Sequence, residues 1–264
     1  MSGHSKWSKI KRAKGVTDAK RGAIFTKLGK AITLAASEGG GDADMNFALR
    51  LAVDKAKAAN MPSDNIERAI KKGTGELEGG RIERISYEAY GPAGAAFIID
   101  CSTDNTNRTI SEVRMLVEGK GGKFASAGSV AWLFDEKGVI LVKPAKLKKA
   151  EKFGADDTYE PEDKDEIMME IMEIEGVEDI IHNEDEDENG NKVDILEIIT
   201  EKSSFAQVDK EIKSKGIQIV NSELSKIAKE AREFTDTEIE KIDRLIEELE
   251  ESDDVDSVWT NVKS

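Results

Sequence analysis

Cysteine is nearly missing from this chain of 264 residues, where Cys101 stands alone. A single thiol excludes a disulfide framework and a cysteine-based zinc site, and it fits a reducing compartment. Histidine is almost as scarce, and His4 and His182 cannot furnish a histidine-rich metal centre. No apolar run approaches the ~18 residues that a membrane span needs. The longest, around residues 93–99, reads as a buried strand. The N-terminus carries basic residues but no apolar segment behind them, which argues against a secretory signal. The expectation is a cytoplasmic protein with packed cores and no membrane segment.

What the chain has in abundance is charge, unevenly placed. The whole sequence sums to −15. Residues 1–35 nevertheless hold nine basic side chains and one acid, Asp18, a local balance of +8 that leaves −23 for the remainder. Within 156–188 there are 17 acidic residues and one lysine, Lys164. A basic end on an acidic body points to a polyanion partner, bound locally and in one orientation, because the body repels phosphates that the arm attracts.

The hydrophobic pattern divides the chain. Residues 1–15 show no periodicity and read as an arm. From Thr17 to Ser37, Ile24, Leu28, Ala31 and Ala35 recur at helical spacing, with Lys20, Lys27 and Lys30 along one flank. Gly39, Gly40 and Gly41 should end that helix. A second helix at 43–59 should bury Phe47 and Leu51. A third follows Pro62, carrying Ile66 and Ile70. Beyond a glycine-bearing linker the period changes. Strands are expected at 82–90 and 94–101, then a helix with Val113 and Val117, then a strand at 129–134. The stretch from 138 to 224 reads β-α-β-β-α-β, the split pattern of ferredoxin-like folds. Ser204 with Gln207, and Thr235 with Glu238, have capping-box spacing. The last strand, near 255–262, has no local partner and should return to complete the 81–134 unit.

The expected class is therefore α+β: a small N-terminal helical domain plus two α/β domains of ferredoxin-like type, the third inserted into the second. In residues, this is a basic flexible arm 1–20, a helical domain 21–79, an α/β domain of 81–134 with 235–264, and an inserted acidic domain 137–233.

Signals for chemistry are mostly absent. Cys101 alternates with Phe97 and Ile99 and reads as a buried hydrophobe. No GxSxG elbow exists, and His182 has no nucleophile signature around it. The glycines at 119–122 follow a helix, so they are a turn rather than a phosphate loop. Asp185, Asp187, Asn189 and Gly190 fit the start of a calcium loop, but Leu196 stands where the bidentate glutamate belongs. Met168, Met169 and Met172 read as core filler. No enzyme, metal or cofactor is expected.

The arm is the exception. His4, Lys6, Trp7, Lys9, Lys11, Arg12, Lys14, Lys20, Arg21, Lys27 and Lys30 form the candidate nucleic-acid-binding set. Lysine and arginine release counterions from phosphates, and Trp7 could stack on an unpaired base. The plainer alternative packs Trp7 onto the helices and leaves the lysines as a solubilising tail.

The residues also resemble a known family. Gly3-His4-Ser5-Lys6-Trp7, Ala19-Lys20-Arg21-Gly22, Asn60-Met61-Pro62, Tyr90-Gly91-Pro92, Asp104-Asn105 with Asn107-Arg108-Thr109, and Gly128-Ser129-Val130 resemble the YebC/PmpR family, in order, over about 3–140. The resemblance implies three domains and no enzymatic activity. It implies a probable DNA-binding transcriptional regulator, or, as for mitochondrial relatives and some bacterial members, a translational activator or ribosome-associated factor. Two readings thus stand together: a nucleic-acid-binding regulator gripping DNA or structured ribosomal RNA, and an adaptor whose acidic domain docks a basic protein. No helix-turn-helix surface or RNP aromatic pair supports base readout.

Overall fold

The computed structural model describes residues 18–78, 80–150, 157–186 and 191–263. Most of the arm, the tip of the acidic hairpin and the Asn189-Gly190 turn lie outside these residues. The chain forms two compact units. One takes the chain up to Asp135 and again from Ile227, and the other is Glu136–Lys226.

The first unit opens with three helices, α1 (Asp18–Gly39), α2 (Phe47–Ala58) and α3 (Ser63–Gly73). Ile32, Ala35 and Ala36 of α1 pack against Leu49, Val53 and Ala56 of α2 and Ile66 and Ala69 of α3. Gly40, at φ +87°, supplies the left-handed residue that stops α1. In α2 the buried stripe is Leu49, Val53 and Ala56, displaced from the expected Phe47 and Leu51, which are half-buried. The cap explains the shift. Asn46 is buried, bonds Leu49 N at 3.1 Å, and reaches back to the Ala35 and Gly40 carbonyls, fixing which face turns inward.

The same unit continues with β1 (Glu83–Tyr90), β2 (Ala96–Thr103), α4 (Thr106–Gly119) and β3 (Lys123–Ala125). These strands and the C-terminal strand form an antiparallel sheet in the order β3-β1-β2-Val255–Thr260. One face, with Tyr87, Ala89, Phe97, Ile99 and Cys101, is covered by Val113 and Val117 of α4 and by Ile242, Leu245 and Leu249 of the last helix. Ala96 and Ile98 on the other face pack against Val130 and Phe134.

The expected strand at 129–134 is corrected here. Residues 131–133 form a short 3-10 turn, and the edge strand is β3 at 123–125. The cause is Glu88, whose buried carboxylate accepts from the backbone N–H groups of Gly128, Val130 and Ala131. A side chain takes the hydrogen bonds that a strand ladder would have used.

The second unit holds β4 (Phe134–Lys148), β5 (Thr158–Pro161), α5 (Lys164–Met172), β6 (Val177–Glu186), β7 (Lys192–Glu201), α6 (Phe205–Ser214) and β8 (Ile217–Ala228). The strand order is β5-β4-β7-β6 with β8 also paired to β4, which gives the ferredoxin-like arrangement with one added strand. Ile167 and Ile171 of α5 and Phe205, Val208 and Ile212 of α6 are buried. The expectation for two methionines fails: Met169 and Met172 are 61% and 68% exposed, because Ile167, Ile171 and Ile174 take the inward stripe. Ser204 makes no side-chain cap bond, its backbone being already helical at φ −92° and ψ −12° rather than extended, and Gln207 donates to Glu211.

The chain then closes with α7 (Asp236–Glu251) and β9 (Val255–Thr260). The Thr235–Glu238 capping box forms as its spacing predicts. β9 pairs with β2, so the segment after the insertion returns to the first sheet. Among the described residues no helix is long and apolar enough to cross a membrane.

Candidate nucleic-acid interface

The candidate set divides by position. His4, Lys6, Trp7, Lys9, Lys11, Arg12 and Lys14 lie outside the described residues. Lys20 and Arg21 fall on the first turn and a half of α1, and Arg21 is exposed.

Lys27 and Lys30, placed by sequence along phosphates, are engaged inside the protein. Lys27 donates from Nζ to the Glu250 carbonyl, and burial pushes its ammonium pKa down. Lys30 Nζ reaches Asp254 Oδ1 at 2.6 Å and the Asp253 carbonyl at 3.1 Å. A helix flank that looks cationic in one dimension is, in three, docked on the α7–β9 turn.

That turn meets a polar cluster that sequence reasoning missed. Asp254, whose side chain is 5% exposed, also accepts from Arg108 at 2.7 Å, Thr109 at 2.8 Å and Thr103 at 3.1 Å. Burial alone would raise its pKa. The bonds from Lys30, Arg108 and Thr109 overcome that and hold the carboxyl well below the usual carboxylate range. Two residues on, burial raises the Asp256 pKa, and the Ser102 hydroxyl only partly offsets it.

The cluster explains the Asp104-Asn105-x-Asn107-Arg108-Thr109 motif. Asn105 caps α4 by accepting from Arg108 N, and the first turn of that helix aims Arg108 and Thr109 at Asp254. The signal for Arg108 and Thr109 was therefore present in the motif. Nothing in the acidic run around Asp254 marked that residue.

A second feature faces outward. A cleft of about 610 Å³ between α1 and α3 is lined by Phe25, Thr26, Asn65, Arg68 and Lys72, with Glu78 and Asp104 also at its surface. Arg68 and Lys72, four residues apart and so on one side of α3, are exposed. Among the described residues neither has an ion-pair partner. Cys101 is fully buried with its thiol pushed up to about 12 by that burial, and the described residues hold no metal-binding group of three His, Cys, Asp or Glu.

The chain resembles known proteins along nearly its whole length. Residues 5–76 match the family model described as the TACO1/YebC protein N-terminal domain, and residues 82–262 match that of the TACO1/YebC second and third domain. A probable transcriptional regulatory protein of Caldanaerobacter subterraneus is 44% identical over 263 residues, covering 100% of this chain and 98% of its own. One from Fusobacterium nucleatum is 45% identical over 262 residues, covering 99% and 95%. The crystal structure of a conserved hypothetical protein from Aquifex aeolicus superposes with a TM-score of 0.77 at 34% identity, covering 99% of this chain and 94% of that one. With two family models spanning the helical and α/β parts in order, and relatives alike from end to end, the chain belongs to the TACO1/YebC family.

Proposed function

We propose that this protein is a non-enzymatic, cytoplasmic regulator that binds nucleic acid through its basic N-terminal arm and the start of α1, as a DNA-binding transcriptional regulator. The observation that carries the reading is the charge separation: +8 over residues 1–35 on a chain whose remainder sums to −23. Such an arm draws its affinity from counterion release, and the anionic body sets the orientation. With Lys27 and Lys30 held by Glu250, Asp253 and Asp254, the phosphate contacts fall to the residues up to Arg21, and Arg68 and Lys72 of the outward cleft are further candidates. The relatives' names, as probable transcriptional regulatory proteins, support a regulatory role.

A second reading, a translation factor on ribosomal RNA, draws on the same arm, because a contact made through charge is blind to sequence and suits a large structured polyanion. On either reading the acidic inserted unit is free to dock a basic protein.

The test is the salt dependence of binding to duplex DNA and to ribosomes. Log affinity should fall linearly with log salt, by about 0.9 per neutralised phosphate on duplex DNA. Deleting residues 1–21 should flatten that slope, and an unchanged slope would overturn the proposal. Crosslinking in cells, with bound DNA and RNA sequenced separately, decides between the two polymers.

A further inference from the structure

The second face of the first sheet carries a pair of aromatics that the fold does not use. Trp132 is 65% exposed and Tyr90 is 36% exposed. Both are nevertheless fixed. The Trp132 indole N–H donates to the Ser129 carbonyl at 3.0 Å, and the Tyr90 hydroxyl donates to the same oxygen at 3.1 Å. Their polar atoms are thus no more than about 6 Å apart. The loop bearing that carbonyl is itself held, through the three amides that bond Glu88, with Gly128 at φ +84° making the turn. In the strand register Lys123 lies opposite Tyr90, on the same face of the sheet. It is exposed and has no ion-pair partner among the described residues.

We propose that Trp132 and Tyr90 form a stacking platform for an unpaired nucleobase, with Lys123 receiving an adjacent phosphate. The chemistry selects this occupant. The indole's one donor is spent internally, so only its π-face is on offer, and recognition through a face is stacking, which every base satisfies. The exposed residues that flank the pair in the chain, Ser126, Ala127, Gly128 and Ala131, are small or polar, with no large apolar side chain among them to anchor a peptide. The rings are held before the ligand arrives, which reduces the ordering cost of binding. The inference rests on the nucleic-acid reading above, and adds to it a preference for unpaired segments that the arm's charge cannot supply.

The experiment uses the full-length chain and a uridine oligonucleotide of about 12 residues, a length within the range of single-strand sites, beside a duplex of the same length. Trp132→Ala should weaken single-strand binding roughly 5- to 160-fold, the range set by loss of one base–aromatic stack, and leave duplex binding unchanged. Trp132→Phe, which keeps a stacking ring while losing the N–H bond to Ser129, should retain most of the affinity. In a Trp7→Phe background, the oligonucleotide should quench fluorescence that the Trp7→Phe/Trp132→Phe variant lacks. If Trp132→Ala binds the single strand as wild type does, while lysine-to-glutamate reversals in the arm abolish binding, the platform is refuted and the arm reading stands. If the wild-type protein retains neither polymer, both fail together.

Discussion

Asp254 lies just before β9 and Asp256 two residues on, at the bulge in that strand, yet their environments pull them in opposite directions. Asp254 gathers Lys30, Arg108, Thr109 and Thr103 around a buried carboxylate. Removing its charge takes away the carboxylate that Lys30 and Arg108 share, although Arg108 keeps Asp104 and Lys30 keeps the Asp253 carbonyl. Asp254→Asn is expected to cost about 1–3 kcal/mol, the usual penalty for leaving buried polar groups short of their hydrogen bonds, measured by urea unfolding at pH 7. Asp256 has its pKa raised by burial, with Ser102 as its direct partner. Asp256→Asn should cost about 1 kcal/mol or less in the same assay. The pH dependence follows from the signs. The depressed Asp254 contributes stability that is present above its unfolded pKa of about 4 and is lost as pH falls through its lower folded value. The raised Asp256 works the other way, with stability rising as pH drops through its folded pKa. In Asp254→Asn the acid-induced loss of stability below about pH 4 should be smaller than in wild type, and an equal loss in both proteins would count against the cluster.

Glu88 shows how one side chain redirects an element. Its carboxylate takes three amide donors from the segment that alternation marks as a strand. Capping spacing alone is equally incomplete. Thr235 with Glu238 closes a box at the start of α7, while Ser204 with Gln207 does not, because Thr235 has the extended backbone of an N-cap and Ser204 is already helical. Two measurements separate these cases. Thr235→Ala should lose about 1 kcal/mol, the typical worth of an N-cap, whereas Ser204→Ala should change stability by less than about 0.5 kcal/mol. Thermal unfolding of the two variants checks both. The element spans were legible because Ile167, Ile171 and Ile174, or Ile242, Ile246 and Leu249, repeat at helical spacing. The face chosen by α2 was not, because buried Asn46 sets it through contacts with Ala35 and Gly40 that lie outside that helix.

Across the whole molecule the two compact units each carry a core of their own. Tyr87, Phe97, Val113 and Leu245 belong to one. Ile140, Ile198, Val208 and Ile212 are fully or almost fully buried in the other. Leu245→Ala and Ile198→Ala should each cost about 2–5 kcal/mol. Circular dichroism in rising denaturant should show each variant moving a different part of the transition, since chains with separate cores need not unfold in one step. A single transition shifted equally by both would argue for one cooperative block.

From sequence alone came the α+β class, the order of the helices, the return of the C-terminal strand and the separation of charge. Each of these depends on local spacing, on composition, or on counting which strand lacks a neighbour. Tertiary structure alone decided what the charges do. Lys27 and Lys30 turn inward because the α7–β9 turn brings Glu250, Asp253 and Asp254 to them from more than 200 residues away, and Trp132 faces outward because Glu88 draws its loop down onto the sheet. Periodicity records which face of an element is apolar. It carries no information about which distant polar group will meet the other face, since that is fixed only when the sheet closes and burial forces each charge to find a partner.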